Sequence, residues 1–256
     1  MDMSDRNVVV TGATRGLGAG LVRQLSALGA TVIGTGRTER PPDQVPPDRY
    51  HFYRADLSSA ADCASFCANV LKEHGAPHVV INNAGINRVR PIVDASDDDW
   101  DAIVDTNLRA PFQITRGFLP AMVENGGGTF IHIASINAVI GVKNMAPYNA
   151  SKAGLVHFSR TLAVEHAASD IASIAVILGG VATEMSGEIQ GEMKSVVTGQ
   201  SSGPLEPRGF TADQAAAALA LLCTEQAKLF TGSAMCLDGA ASAGLLASSM
   251  IYLSVQ

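Results

Sequence analysis

Three residues in the middle of the chain could together carry acid–base chemistry. Tyr148 and Lys152 are four positions apart, and Ser135 precedes the tyrosine by thirteen positions. Residues at i and i+4 share one face of a helix, so the phenol and the ammonium group would point into the same space. Tyrosine has an ordinary pKa of about 10, and a neighbouring positive charge lowers it. The pattern therefore predicts a proton donor and acceptor for carbonyl or alcohol chemistry, although Tyr-x-x-x-Lys is also common on solvated helix faces.

A glycine-rich turn near the start of the chain could hold a phosphate. The apolar run Asn7-Val8-Val9-Val10 leads into Thr11-Gly12-Ala13-Thr14-Arg15-Gly16-Leu17-Gly18. Glycines let the backbone turn tightly and approach a ligand, and a helix that follows would offer its free amides and positive end to a pyrophosphate. The spacing Gly-x-x-x-Gly-x-Gly differs from the commoner Gly-x-Gly-x-x-Gly. An ordinary turn between a strand and a helix is the alternative.

The elements that must position these residues alternate along the chain. Short apolar runs predict strands over 7–11, 31–35, 50–54, 78–82, 129–134, 174–178 and 234–237. Between them, the sequence predicts helices from the glycine turn to about 29 and over 59–74, 98–124, 147–168 and 211–223. Apolar strands that alternate with helices are typical of a parallel sheet that is covered on both faces. We therefore predict an α/β fold, a three-layer Rossmann-type doubly wound parallel sheet of about seven strands.

The chain length and the short proline-rich stretch indicate the domain organisation. A chain of 256 residues suits one α/β domain or two small ones, and the proline-rich stretch 40–48 is too short to separate domains. We expect one dinucleotide-binding domain over 1–256. Within it we expect a lid near 183–209 that orders over the ligands, and an apolar C-terminal tail over 245–256 that packs between subunits.

Composition excludes several classes of protein. Hydrophobic residues make up 47% of the chain, the net charge is −6, and no run of basic residues occurs. This balance argues against disorder and against nucleic-acid binding. The four cysteines form no Cys-x-x-Cys pair, so we expect no metal site. The first residues lack the apolar stretch of a signal peptide and no apolar run could span a membrane, so we expect a cytoplasmic protein with no membrane partner.

These motifs, in this order, resemble the short-chain dehydrogenase/reductase family in its compact single-domain branch, over nearly the full length. Asn82-Asn83-Ala84-Gly85 and Asp56-Leu57 resemble family segments on the adenosine side of the cofactor. The resemblance implies that the catalytic residues are Asn107, Ser135, Tyr148 and Lys152. It implies that the cofactor is bound by Gly12, Thr14, Arg15, Gly16, Leu17, Gly18, Arg37, Asp56, Leu57, Asn83, Ala84, Gly85, Tyr148, Lys152, Gly180, Val181 and Thr183.

The resemblance also implies a role for each catalytic residue. Ser135 would hydrogen-bond the substrate oxygen, and Tyr148 would give a proton to that oxygen or take one from it. Lys152 would lower the pKa of the tyrosine and hold the nicotinamide ribose. Asn107 would hold a water that links Lys152 to solvent. The alternatives are a loop-capping serine and a hydrogen bond inside a helix for Asn107.

Cofactor preference depends on the end of the second strand. Relatives that prefer NAD place an acidic residue there to bind the ribose 2′-hydroxyl, but this chain has Thr35-Gly36-Arg37. Arg15 and Arg37 could clasp a 2′-phosphate, so we expect NADP(H) to be favoured over NAD(H), unless both arginines are only solvated surface charges. Leu178-Gly179-Gly180 stands where the family usually has Asn-Pro-Gly, which makes placement of the nicotinamide a separate question.

The substrate class is read from a short set of pocket candidates. Besides Ser135 and Tyr148, these are Ile136, Asn137, Met145, Gly179 and Met185. Many relatives reduce 3-oxoacyl groups on acyl carrier protein, but the stretches 123–128 and 165–170 offer no basic patch for that acidic partner. We therefore expect a ketone or secondary alcohol that is a free small molecule, and a homo-oligomeric enzyme, a tetramer or a dimer. A 3-oxoacyl-carrier-protein reductase and a non-catalytic NAD(P)-binding regulatory protein are the alternatives.

Overall fold

The computed structural model describes residues 1–38, 45–182 and 210–243. Within these residues, seven strands form one parallel sheet in the order β3-β2-β1-β4-β5-β6-β9. Their bounds are β1 Asn7–Thr11, β2 Thr31–Gly36, β3 Tyr50–Arg54, β4 Val79–Asn82, β5 Gly128–Ile133, β6 Ile171–Leu178 and β9 Ala234–Leu237. Two further two-residue strands, β7 Val181–Ala182 and β8 Phe210–Thr211, pair with each other. This architecture confirms the predicted doubly wound parallel sheet.

Helices cover both faces of the sheet. Their bounds are α1 Gly16–Ala27, α2 Ala60–His74, α3 Asp97–Val104, α4 Ala110–Glu124, α5 Ala146–His166 and α6 Ala212–Ala220. Short 3₁₀ turns span Ile136–Ala138, Ala167–Ser169, Leu221–Cys223 and Glu225–Phe230.

Alternation along the strands builds the two cores. In β1, Val8 and Val10 pack on the side of α1 and α6, whereas Val9 packs on the side of α2 and α4. Successive strand residues point to opposite faces, so a run of valines fills both cores at once. This explains why the strand reads as a continuous apolar run in the sequence.

The order in which strands are added to the sheet reverses beside β1. β2 pairs with one edge of β1 and β4 with the other, so the connections leave in opposite directions and a crevice opens at the carboxyl ends of β1 and β4. In sheets of this kind, ligands bind in that crevice. The glycine turn, the segment after β4 and the loop after β5 all start there.

Two elements differ from the sequence prediction. The helix predicted over 98–124 is divided into α3, a π-helical turn at Asp105–Arg109, and α4. β6 starts at Ile171, three residues before the predicted start at 174. The predicted lid over 183–209 and tail over 245–256 lie outside the described residues.

Candidate active site

Ser135, Tyr148 and Lys152 come together at the carboxyl end of β5. Ser135 follows β5 and precedes the turn Ile136–Ala138, while the tyrosine and the lysine lie in the first two turns of α5. Pro147 stands in the first turn of this helix, where its missing backbone donor costs nothing. The sequence therefore starts α5 at the point that brings the phenol beside the serine.

The Ser135 hydroxyl lies close enough to the Tyr148 hydroxyl to influence its pKa. Burial raises the pKa of Tyr148, and the nearby Ser135 hydroxyl opposes that rise. The expected lowering by Lys152 is therefore not the dominant effect in this structure, where the lysine Nζ lies 5.7 Å from the centre of the tyrosine ring. The phenol is held protonated, which suits a proton donor.

Lys152 is buried, with only 4% of its surface exposed. Its Nζ donates a hydrogen bond to the carbonyl oxygen of Ile133 at 2.8 Å. Because burial penalises the charged form, the pKa of Lys152 falls to about 8. An ammonium group in this range can lose and regain a proton near neutral pH.

Asn107 lies in the π-helical turn and is fully buried. Its Oδ1 accepts a hydrogen bond from the backbone N–H of Ile86 at 2.8 Å, and its Nδ2 donates to the carbonyl oxygen of the same residue at 2.9 Å. The Nδ2 also donates to the Ser151 Oγ at 3.2 Å. Asn107 thus fixes the segment after β4 against α5; the water relay implied by the resemblance stays a prediction.

Gly85 lies where Asn107 and Lys152 meet. A Cβ at this position would lie 3.3 Å from the Asn107 Oδ1 and 3.4 Å from the Lys152 Nζ. A side chain here would therefore fill the space in front of both polar groups. The glycine keeps this space open to a ligand.

The glycine turn between β1 and α1 has the form of a phosphate cradle. Gly12 has a φ of +66°, and a Cβ on Gly18 would lie 1.9 Å from the Gly12 carbonyl oxygen, so both positions require glycine. Helix α1 begins after Arg15 without a side-chain cap, and its first turn contains no acidic residue. Its first amides and its positive end are thus suited to an anion such as a pyrophosphate.

Asn83 braces this turn against β4. Its Nδ2 donates to the carbonyl oxygens of Thr11 at 2.8 Å and Gly12 at 3.2 Å. The Thr11 hydroxyl accepts from the backbone N–H groups of Asn83 and Ala84 at 2.9 and 3.0 Å. The turn and the segment after β4 therefore form one rigid wall of the crevice, and their residues fit a dinucleotide cofactor.

The remaining predicted cofactor residues lie around this wall. Thr14 packs against Gly36 at the end of β2, since a Cβ there would lie 3.4 Å from the threonine Oγ1. Asp56 is exposed after β3, and hydrogen bonds from Ser58 lower its pKa, with a smaller effect from the charge of Arg37. The arginine is thus close to the place where the predicted adenosine side would lie. Of the other predicted residues, Leu57, Leu17 and Val181 are buried, and Arg15 is exposed.

Asn137 and Met145 line the space beside the serine and tyrosine. Asn137 Oδ1 accepts from the Ser135 Oγ at 3.2 Å, and its Nδ2 donates to the Asn149 Oδ1 at 2.8 Å. Met145 is buried immediately before α5. The wall therefore combines polar amide groups with the apolar side chain of Met145. Ile136 begins the adjacent 3₁₀ turn.

The loop after β6 contributes backbone groups to the same region. The Gly179 N–H donates to the Leu237 carbonyl oxygen at 2.9 Å, and the Gly180 carbonyl oxygen accepts from the Phe210 N–H at 2.9 Å. A Cβ on Gly179 would lie 2.6 Å from the Asp238 Cα, so close backbone packing requires this glycine. Thr183 and Met185 lie outside the described residues.

The sequence prediction missed Asn87, which contacts the same pocket residues. Its Nδ2 donates to the Met145 Sδ at 3.5 Å. Asn87 lies two residues beyond the segment Asn82-Asn83-Ala84-Gly85 that the resemblance relates to the cofactor, and no spacing rule relates it to Met145. Only the folded chain brings the two together.

Comparison with known proteins decides the family. A family model described as short chain dehydrogenase matches residues 6–194. The chain is a short-chain dehydrogenase. It therefore belongs to the NAD(P)-binding oxidoreductases that act on CH–OH and C=O groups.

Its relatives cover almost the whole chain. A 3-oxoacyl-acyl-carrier-protein reductase of Salmonella typhimurium is 30% identical over 244 residues, which are 93% of this chain and 98% of the relative. A D-beta-hydroxybutyrate dehydrogenase of Cupriavidus necator is 29% identical over 252 residues, with the same shares covered. Among solved structures, this short-chain dehydrogenase is similar to a protein of Beutenbergia cavernae that is assigned as an NAD(P)-dependent gluconate 5-dehydrogenase and holds NADP at low occupancy. The TM-score is 0.87 and the identity 27%, over 95% of this chain and 99% of the other.

Within 1–38, 45–182 and 210–243, no helix combines the length and the apolar character that crossing a bilayer requires.

Proposed function

We propose that this short-chain dehydrogenase interconverts a ketone and a secondary alcohol on a free small molecule, with NADP(H) as its preferred cofactor and Tyr148 as general acid and base. The observation that carries the proposal is that the Ser135 hydroxyl lies beside Tyr148 and influences its pKa, with the buried Lys152 in the next turn of the same helix. Two hydroxyl groups that converge on one point can bind one carbonyl oxygen.

The residues then have distinct tasks. The nicotinamide cofactor, when bound, exchanges a hydride with the substrate carbon. In the reducing direction, Tyr148 gives its hydroxyl proton to the carbonyl oxygen as the carbon–oxygen double bond becomes single. Ser135 donates a hydrogen bond to the same oxygen and stabilises the charge that develops there. In the oxidising direction, the tyrosine oxygen takes the alcohol proton.

Lys152 assists the proton transfer through its effect on Tyr148. Its pKa of about 8 lets it exchange a proton near the working pH, and its charged form favours the tyrosine oxygen when that oxygen has lost its proton. The Ile133 carbonyl oxygen holds the amine in place. The residue therefore acts through Tyr148 and not on the substrate.

The preference for NADP(H) is supported by charge. Arg37 is exposed directly after β2, its charge reaches Asp56, and no acidic side chain occurs at 35–38. A guanidinium group pairs well with a 2′-phosphate. The test is kcat/KM for NADPH and NADH in wild type and Arg37→Ala, with Arg116→Ala on α4 as control. The proposal expects Arg37→Ala to lower the NADPH value alone; an NADH preference that the substitution leaves unchanged would contradict it.

A 3-oxoacyl-carrier-protein reductase is the second candidate, because such a reductase is among the relatives at 30% identity. A free substrate is favoured because the stretches 123–128 and 165–170, at the ends of α4 and α5, carry Glu124, Glu165 and Asp170 and no lysine or arginine. Lys228, which lies close to the second stretch, is paired with Asp170 and Glu225. Like charges on an acidic partner would slow its association. Comparing acetoacetyl-carrier protein with acetoacetyl-pantetheine tests this, and a large preference for the carrier-bound form would favour the second candidate.

A non-catalytic NAD(P)-binding regulator is the third candidate function, and it predicts no NADPH oxidation across a panel of carbonyl compounds.

We also propose that the enzyme is cytoplasmic and forms a homodimer or homotetramer. Exposed apolar side chains on α4 and α5, including Phe112 and Val164, favour association of these two helices with a second copy.

A further inference from the structure

We propose that Asn87 is a substrate-recognition residue and that the substrate carries a hydroxyl group near its reacting carbonyl. This inference rests on the proposed function and names the chemical class of its substrate. It starts from one unpaired atom in the wall of the candidate active site.

The Asn87 side chain has only a weak partner. Its Nδ2 donates to the sulfur of Met145 at 3.5 Å, and thioether sulfur is a poor acceptor. Its Oδ1 is buried and accepts no hydrogen bond from the residues that the structure describes. Buried amide oxygens in proteins are almost always paired, so this atom needs a donor, and a ligand beside Met145 can supply one.

The Asn87 side chain is linked to the residues around the reactive hydroxyls through one shared neighbour, Met145. Asn137 Nδ2 donates to the same Met145 Sδ at 3.4 Å, and Asn137 Oδ1 accepts from the Ser135 Oγ. Met145 is three residues before Tyr148. A substrate whose carbonyl oxygen meets Ser135 and Tyr148 would thus extend its neighbouring carbons past this methionine, toward the Asn87 amide.

The backbone around Asn87 is fixed on both sides. Asn107 clamps the N–H and the carbonyl oxygen of the preceding Ile86. On the other side, Arg88 pairs with Asp99 at 2.5 Å, and the Arg90 N–H donates to the Asn144 carbonyl oxygen at 2.8 Å. The backbone that carries the Asn87 side chain is therefore held in place before a ligand binds.

A neutral hydroxyl group suits this amide. A hydroxyl can donate to Oδ1 and can also accept from an amide nitrogen, so it satisfies the side chain in either orientation of the amide. A plain ketone offers no hydrogen-bond donor. The nearby Arg88 and Arg90 both pair with the carboxylate of Asp99. Because Asp99 already offsets their positive charge, a neutral substrate group suits this site better than an anion.

The experiment compares matched ketones in which a methyl group replaces the hydroxyl. Hydroxyacetone is paired with butanone, and 4-hydroxy-2-butanone with 2-pentanone, so that the two pairs distinguish the position of the hydroxyl. kcat/KM is measured with NADPH for wild type and Asn87→Leu, which keeps the size and removes the amide. Asn87→Ala is the second variant in case the leucine disturbs folding. Asn125→Leu, at the exposed end of α4, is the matched control.

We expect wild type and Asn125→Leu to favour the hydroxy ketone of at least one pair by roughly tenfold or more. Asn87→Leu and Asn87→Ala should lose that preference while they retain turnover of the plain ketone. Equal values within both pairs for wild type, or a preference that survives both substitutions, would overturn the role of Asn87 and leave the proposed function intact. No turnover of any carbonyl with either cofactor would overturn both.

Discussion

At the scale of single residues, burial sets the proton affinities of the candidate active site. Lys152 is buried and its pKa falls to about 8, whereas burial raises the pKa of Tyr148. Both shifts favour the neutral forms of the two groups. Lys152 can therefore give up its proton near neutral pH, and its charge does not dominate the pKa of the phenol.

The depressed pKa of Lys152 predicts a pH-dependent stability in the cofactor-free enzyme. The unfolded lysine keeps its proton up to an ordinary pKa of about 10.4, whereas the folded one loses it near 8. Between these values the unfolded state binds more protons, so the free energy of unfolding rises with pH. Lys152→Met lacks this contribution. We expect it to be more stable than wild type at pH 7.

The measurement is urea denaturation of both proteins between pH 7.5 and 9.5. The stability advantage of Lys152→Met should shrink by about 1–2 kcal/mol over this range. Three buried thiols, Cys63, Cys67 and Cys223, have raised pKa values and lower the stability of both proteins above pH 9, so only the difference between the proteins is informative. A constant difference would mean that Lys152 keeps its proton throughout.

At the scale of elements, short irregular segments place the site residues, and the strands and helices hold those segments in position. The glycine turn, the segment after β4 and the π-helical turn each place one wall of the crevice. π-helical turns inside helices are frequent at functional sites, and here the turn aims Asn107 at the backbone of Ile86.

The glycine turn gives a prediction with a matched control. A methyl group on Gly18 would lie 1.9 Å from the Gly12 carbonyl oxygen, whereas one on Gly141 would meet nothing within 4 Å. Gly18→Ala should therefore distort the turn and weaken NADPH binding by at least about tenfold, as expected when a backbone position cannot accept a side chain. Gly141→Ala should bind as wild type does. Fluorescence titration of NADPH checks this, and equal affinities for the two variants would show that the turn does not hold the cofactor.

Much of this arrangement follows from the sequence, and the exceptions have physical causes. The valine run of β1 and the glycines after it specify a strand and a tight turn locally, so both were predictable. The π-helical turn was not, because Asp105–Arg109 reads as ordinary helix and the extra residue per turn is imposed by contacts with Ile86 and Ser151. Asn87 was missed for a similar reason, since its significance lies in Met145, 58 residues away.

At the scale of the whole molecule, the parallel sheet collects distant segments at one edge. The candidate site draws on residues that follow β1, β4, β5 and β6, and the crevice beside β1 is where the strand order reverses. Cofactor and substrate can therefore share one crevice while each contacts different loops.

The apolar C-terminal segment makes a prediction about assembly. Residues 245–256 include the large apolar side chains Leu245, Leu246, Met250, Ile251, Leu253 and Val255. A stretch of this kind favours burial, either on its own subunit or between subunits. We expect truncation after Ala243 to lower the oligomeric state. Sedimentation equilibrium of both chains measures this, and an unchanged mass together with an unchanged melting temperature would show that the segment has no role in assembly.

The central claim is that Tyr148 exchanges the proton with the substrate oxygen, and Tyr148→Phe tests it most directly. The substitution removes one hydroxyl and keeps the ring. The decisive measurement is kcat on a carbonyl substrate with NADPH, together with the Kd for NADPH from fluorescence. We predict that kcat falls by at least ~10²-fold, the usual contribution of one general acid, while Kd stays within a few-fold of the wild-type value. Turnover at the wild-type rate in Tyr148→Phe would contradict the assignment.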